Sequence, residues 1–142
     1  MPENKEFQFV DTNIIIYAYD ISEPVKREQA RSLIIDLWES GLGCLSIQVL
    51  QELYVNISAK IPKPLPADIA SRIITDLGQW RLHIPDLSSI LEAIEIQQRN
   101  QISFWDAMII CSAKTLDCKI IWTEDLNTNQ FYENIKAVNP FL

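Results

Sequence analysis

The chain has 142 residues, 48% hydrophobic and 22% charged, with a formal net charge of −7. That length suits one domain spanning residues 1–142, able to bury about 68–70% of its unfolded surface, and the composition excludes a disordered chain. The acidity argues against tight non-specific nucleic-acid binding through Lys and Arg, but leaves room for a nuclease that carries its positive charge as metal ions and for a basic protein partner.

The segment Met1 to Glu6 is polar and lacks the basic-then-apolar order of a signal peptide, and no apolar run approaches the roughly 20 residues of a membrane span. A cytoplasmic protein with no membrane partner is therefore expected. Phe7–Val10 is predicted as the first strand, ending at Asp11. Asn13–Tyr17 is ambiguous, because Ile14, Ile15 and Ile16 are β-branched and suit a strand extension. A helix starts near Ser22-Glu23-Pro24, carries the stripe Ala30, Leu33, Ile34 and Leu37, and ends before Gly41 and Gly43. Gly43–Leu45 is a short strand. Ser46 opens a helix striped by Leu50, Leu53, Tyr54 and Ile57. Lys60 to Pro66 reads as a proline-stiffened loop. Ala70, Ile73, Ile74 and Leu77 mark the next helix, Leu82–Ile84 a strand, and Leu87, Ile90, Leu91 and Ile94 a further helix. Ser103 opens a helix running to about Leu116, followed by strands at Lys119–Trp122 and Ile135–Val138. Short strands alternating with longer helices predict an α/β fold: a parallel sheet of about five short strands flanked by helices on both faces, an α/β/α sandwich.

The cysteines Cys44, Cys111 and Cys118 are odd in number and form no Cys-x-x-Cys, which argues against a disulfide framework or a zinc knuckle. Cys44 and Cys111 read as small core residues and Cys118 as a loop thiol. The lone histidine, His83, reads as a hydrogen-bonded structural residue, so a His-rich metal site is excluded. The basic residues are few but grouped, Lys26, Arg27 and Arg31 in one helix and Lys60 and Lys63 in one loop.

Carboxylates are then the abundant ligands, and oxygen donors select hard cations such as Mg²⁺ or Mn²⁺. Asp11 and Asp125 follow apolar strands, while Glu52 and Asp106 lie early in helices. In a parallel α/β sheet, strand exits and helix starts meet at one edge. Four carboxylates brought there would repel by roughly 3 kcal/mol per pair at about 5 Å and an effective dielectric near 20, which calls for protons or a cation. Each acid also has an ordinary explanation. Asp11 suits a helix N-cap, Glu52 a helix flank, and Asp125 a turn. Asp106 completes Ser103-Phe104-Trp105-Asp106, the form of a capping box. Thr123 is placed to orient carboxylates with its hydroxyl.

Val10-Asp11-Thr12-Asn13, Glu52-Leu53, Ser103-Phe104-Trp105-Asp106-Ala107-Met108-Ile109 and Thr123-Glu124-Asp125-Leu126, in this order, resemble the PIN-domain nucleases, and within them the VapC-like toxins of toxin–antitoxin pairs. The resemblance covers almost the whole chain and implies a PIN-like sandwich. It implies Asp11, Glu52, Asp106 and Asp125 as catalytic and metal-binding acids, with Thr12, Asn13 and Thr123 as supporting polar residues. It implies an Mg²⁺- or Mn²⁺-dependent endoribonuclease with RNA as substrate and a small basic antitoxin as partner; a homodimer stays open. The rival readings are a catalytically silent RNA-binding or interaction scaffold, and an aspartate-phosphorylated phosphotransferase or receiver domain. The phosphotransferase wants a second acid two residues after Asp11, where Asn13 stands, and the receiver wants its acceptor after a middle strand.

Overall fold

Phe9 and Val10 are both fully buried. Successive strand residues point to opposite faces, so the first strand is covered on both sides. The computed structural model describes residues 6–142, and the N-terminal segment read above as no signal peptide lies almost wholly outside them. The described chain runs β1 (Phe7–Val10), α1 (Thr12–Tyr17), α2 (Pro24–Ser40), β2 (Gly43–Ser46) and α3 (Ile47–Val55). A π-helical turn, Asn56–Lys60, follows. Then come α4 (Ala67–Leu77), β3 (Arg81–His83), α5 (Leu87–Asn100), α6 (Phe104–Thr115), β4 (Cys118–Trp122), β5 (Phe131–Tyr132) and β6 (Ile135–Val138).

The strands form one sheet in the order β3-β2-β1-β4-β6-β5. Neighbours pair in parallel except β5, which is antiparallel to β6. β1 pairs with β2 on one side and β4 on the other, with Phe9 opposite both Cys44 and Ile121 and a shift of register against β4 between Phe7 and Gln8. The chain therefore builds outward from β1 to β2 and β3, then returns to start the other half at β4. Strand order reverses there, and ligands of open α/β sheets bind beyond the carboxyl ends of strands at such a point.

The sheet has six strands among the described residues rather than about five. The extra strand β5 reaches β6 through Glu133 and Asn134, both at positive φ (51° and 67°). That is the backbone of a two-residue type I′ turn, normally signalled by Asn-Gly or Asp-Gly, and Glu-Asn hides it. The ambiguous Asn13–Tyr17 is helical, because Asp11 caps it by accepting from the Thr12 amide at 2.7 Å. Cys118 is no loop thiol. It opens β4 and is buried, as Cys44 and Cys111 are.

The helix at Leu87 forms, opened by a reciprocal Asp86–Ser89 capping box. Its apolar stripe faces outward, however, with Leu87 70% and Leu91 54% exposed. The buried face is instead Ser89, Ala93 and Ile96, whose small members let α5 lie close against α6. His83 ends β3 with its Nδ1 2.8 Å from the Ser112 hydroxyl, the structural partner expected of it, and burial lowers its pKa. Gly43 starts β2 under Trp80. A Cβ there would stand 2.5 Å from the indole ring, so only glycine fits.

Candidate active site

Asp11 leaves β1 at the switch point and Thr123 leaves β4 beside it. Their backbones are tied, since the Asp11 amide donates to the Trp122 carbonyl at 2.9 Å. Only 6% of Asp11 is exposed. One of its carboxylate oxygens accepts from the Thr12 amide at 2.7 Å, and the other from the Thr123 hydroxyl at 2.8 Å and the Asn13 amide group at 3.5 Å. Burial pushes the Asp11 carboxyl up to about 7, and the nearby charges of Asp125 and Asp106 push the same way against those hydrogen bonds.

Thr12 turns its hydroxyl outward to Glu52 Oε1 at 2.7 Å, fixing α3 against the end of β1. Thr123 also accepts the Asp125 amide at 3.0 Å, so one hydroxyl orients two acids. Asp106 sits in the first turn of α6, where its amide donates to the Ser103 hydroxyl at 3.0 Å. The reciprocal half of a capping box is not formed. Burial raises the Asp106 pKa, the Ser103 hydroxyl lowers it, and the fields of Asp125 and Glu52 raise it further. Asp11, Glu52 and Asp125 line one open cleft of about 470 Å³, with Thr12 and Asn13. Asp106 is not among the lining residues, but its carboxyl feels the charges of Asp125 and Glu52. Thus all four sequence-predicted acids gather at the carboxyl edge of the sheet, and the three supporting residues each bond one of them or its loop.

Two adjacent acids take different jobs. Asp125 faces the cleft, while Glu124 turns away to accept from the Tyr17 hydroxyl at 3.0 Å and pair with Lys26 at 2.9 Å. The Glu124 amide donates to Asn13 Oδ1 at 3.3 Å. This latch fixes the loop that carries Asp125, and its pairs span about a hundred residues of chain, so no local motif announces it. Lys60, grouped above with Lys63 in one loop, is among the described residues the only basic side chain lining the cleft.

The donor set is all oxygen, negative and partly desolvated, which fits Mg²⁺ or Mn²⁺ and disfavours soft metals. No three His, Cys, Asp or Glu side chains among the described residues stand ready-made around one ion point. Glu52 is turned onto Thr12 and Asp125 is exposed, as mutually repelling carboxylates would be, so gathering on one ion requires them to re-aim.

A mainly parallel sheet with an acid-lined cleft at its switch point defines the class: an α/β/α domain with an acidic cleft at the carboxyl edge of its sheet. The PIN domain model matches residues 9–134, and the chain belongs to that family. Among solved structures it is similar to the toxin–antitoxin complex from Klebsiella pneumoniae, with a TM-score of 0.65, 18% identity, and coverage of 94% of this chain and 97% of that one. It is also similar to Mycobacterium tuberculosis VapC20, a toxin that cleaves the sarcin-ricin loop, with a TM-score of 0.61, 16% identity, and coverage of 83% and 89%. At these identities the likeness bears on the fold. No curated protein matches the chain by sequence. Among the described residues no helix is long and apolar enough to cross a membrane.

Proposed function

We propose that the protein is an Mg²⁺- or Mn²⁺-dependent endoribonuclease that hydrolyses RNA phosphodiester bonds, and that it is the toxin of a toxin–antitoxin pair. The observation that carries this reading is Asp11: a buried carboxyl, fixed on both oxygens, whose charged neighbours are Asp125 and Asp106. Asp11, Asp106 and Asp125 would hold the cation, with Glu52 joining directly or through water. When bound, a divalent ion supplies positive charge against the phosphoryl oxygens and acidifies water. The protein's own part is to hold the acids still. Thr12 and Thr123 fix Asp11 and Glu52 in place, and the Glu124–Lys26 latch fixes the Asp125 loop. A carboxylate of the cleft not engaged on the ion would be the group to accept a proton from the attacking water.

An apolar groove of about 520 Å³ between α3 and α4 adjoins the cleft, lined by Ile47, Leu50, Tyr54, Val55 and Ile74. It suits an amphipathic helix of a small basic partner, whose Arg or Lys would reach the acids next door. The nuclease test is cleavage of single-stranded RNA by the purified chain. Cleavage should need Mg²⁺ or Mn²⁺, stop in EDTA, and fall at least about 100-fold in Asp106→Asn. Undiminished cleavage by the variant, with unchanged metal dependence, would remove Asp106 from the site. A loss of melting temperature with activity intact would make it only a helix-end residue.

A further inference from the structure

We infer that single-stranded RNA crosses the acid cleft with one nucleobase stacked on Trp105 and a backbone phosphate held by Lys60. The inference rests on the ribonuclease reading and names the residues that grip its substrate.

Trp105 immediately precedes Asp106 and is 64% exposed. An exposed indole beside a cleft of carboxylates contributes little to the core. Its posture is nevertheless set. Its ring meets half-buried Phe104 edge-on, with centroids 5.2 Å apart and planes at 72°. Its carbonyl faces the Gln48 amide group at 3.5 Å, which ties it to the first turn of α3. A held aromatic face open to solvent is what sequence-tolerant base stacking requires.

Lys60 lines the cleft with Glu52 and Asn56. Lys26, Arg99 and Lys114 are all ion-paired, whereas Lys60 makes no ion pair among the described residues. Its position comes from the π-helical turn. The wider turn keeps Ile57 and Ile61 buried while Asn56 and Lys60 reach the cleft. Such π segments often occur at functional sites. An acidic cleft repels phosphate, so a cation at its rim is the group that can seat a backbone phosphate beyond the catalytic acids.

Helix α3 and its π-helical extension run between the two residues. Gln48, which faces Trp105, precedes Glu52 by about 6 Å of helix, and Lys60 follows Glu52 by roughly 12 Å. The total, about 18 Å, spans about five stacked nucleotides at 3.4 Å each. Glu52 thus lies between a base platform at one end and a phosphate clamp at the other.

The test is binding and cleavage of a fluorescein-labelled single-stranded RNA of about eight nucleotides, a length within common single-strand site sizes. Binding is read by anisotropy with Ca²⁺ replacing Mg²⁺, using the full chain and the variants Trp105→Ala, Trp105→Phe, Lys60→Met and Lys60→Arg, after equal melting temperatures show that they fold. Trp105→Ala and Lys60→Met should each raise Kd about 10-fold or more, while Trp105→Phe and Lys60→Arg keep most of the affinity. Lys60→Met should also flatten the slope of log Kd against log salt by about 0.7, the loss of one single-strand phosphate contact, and Trp105→Ala should leave that slope unchanged. In cleavage the losses should fall on KM rather than kcat. A wild type that cleaves RNA while folded variants bind it equally well overturns this inference alone. A wild type that neither binds nor cleaves RNA overturns the ribonuclease reading with it. Normal RNA handling by Trp105→Ala, with loss of a protein partner, would assign the indole to a protein interface and overturn its role here.

Discussion

Replacing Asp11 by Asn removes a buried charge while nearly preserving shape. Burial pushes the Asp11 carboxyl up to about 7 in the folded chain from an ordinary 3.8, a difference worth about 4 kcal/mol. Its pKa is raised, so between 3.8 and about 7 the folded state keeps a proton that the unfolded chain has released. Stability without metal therefore declines as pH rises across that window, and the full penalty applies above it. Asparagine carries no such penalty. It can still accept the Thr12 amide, but it loses the charged acceptor for the Thr123 hydroxyl, at a cost of about 1 kcal/mol. In EDTA at pH 8, Asp11→Asn should thus be more stable than wild type by about 1–3 kcal/mol, or roughly 3–10 °C in Tm for a domain of this size. Near pH 4 that advantage should vanish. With Mn²⁺ at a hundred times Kd the wild type should gain about 2.7 kcal/mol and the variant clearly less. The assay is thermal melting by circular dichroism at both pH values, with EDTA and with Mn²⁺. A variant destabilised equally at pH 4 and pH 8, with an undiminished Mn²⁺ effect, would refute the reasoning and leave Asp11 an ordinary helix cap.

Gly43→Ala should destabilise the fold by about 1–3 kcal/mol, because the new methyl meets the Trp80 ring; an unchanged urea midpoint would mean the indole yields freely. Glu133 bonds Arg99 and Asn100 and lies 3.5 Å from Lys114, and these partners, the Arg99 hydrogen bond first, pull its pKa down to about 2 from an ordinary 4.5. Its contribution is present above 4.5 and lost as pH falls through about 2. Since Arg99 is half exposed, Glu133→Gln should cost only about 1–2 kcal/mol at pH 7, with the gap narrowing in acid; a gap that widens in acid contradicts the pairing. Glu124→Gln weakens the latch to Lys26 without touching the cleft acids, and should weaken Mn²⁺ binding about 10-fold by loosening the Asp125 loop. Calorimetry showing wild-type Mn²⁺ affinity would make the latch purely structural.

The fold was legible wherever periodicity and burial agree. The strand Phe7–Val10, the helix opened by Ser103 and the capped helix at Ser46 need only local chemistry, and each stands where the sequence put it. The α5 stripe shows the limit of that signal. Leu87, Ile90, Leu91 and Ile94 repeat with helical period, yet α6 packs on the small residues Ser89 and Ala93 instead. Periodicity reports that one face is apolar, not which face a neighbour chooses. The β5–β6 hairpin was missed because Glu133 and Asn134 adopt positive φ without glycine, held in part by Arg99 from α5. Within the site, the acids could be singled out from their matched positions at strand ends and helix starts. The bonds between them could not. Thr12 meets Glu52, Thr123 meets Asp11 and Glu124 meets Lys26 only once the sheet order sets β1 beside β4, and no local pattern encodes that order.

The most direct test of the central claim, a hard-cation site formed by the four acids, is anomalous X-ray scattering at the manganese edge from crystals soaked in Mn²⁺. One peak or two should lie among the carboxylates of Asp11, Asp106 and Asp125, at about 2.0–2.2 Å from their oxygens, with Glu52 released from Thr12 or bridging through water. Asp106→Asn crystals should show that density weakened. A cleft without a peak at saturating Mn²⁺, or a peak only at surface carboxylates away from Asp11, would contradict the account.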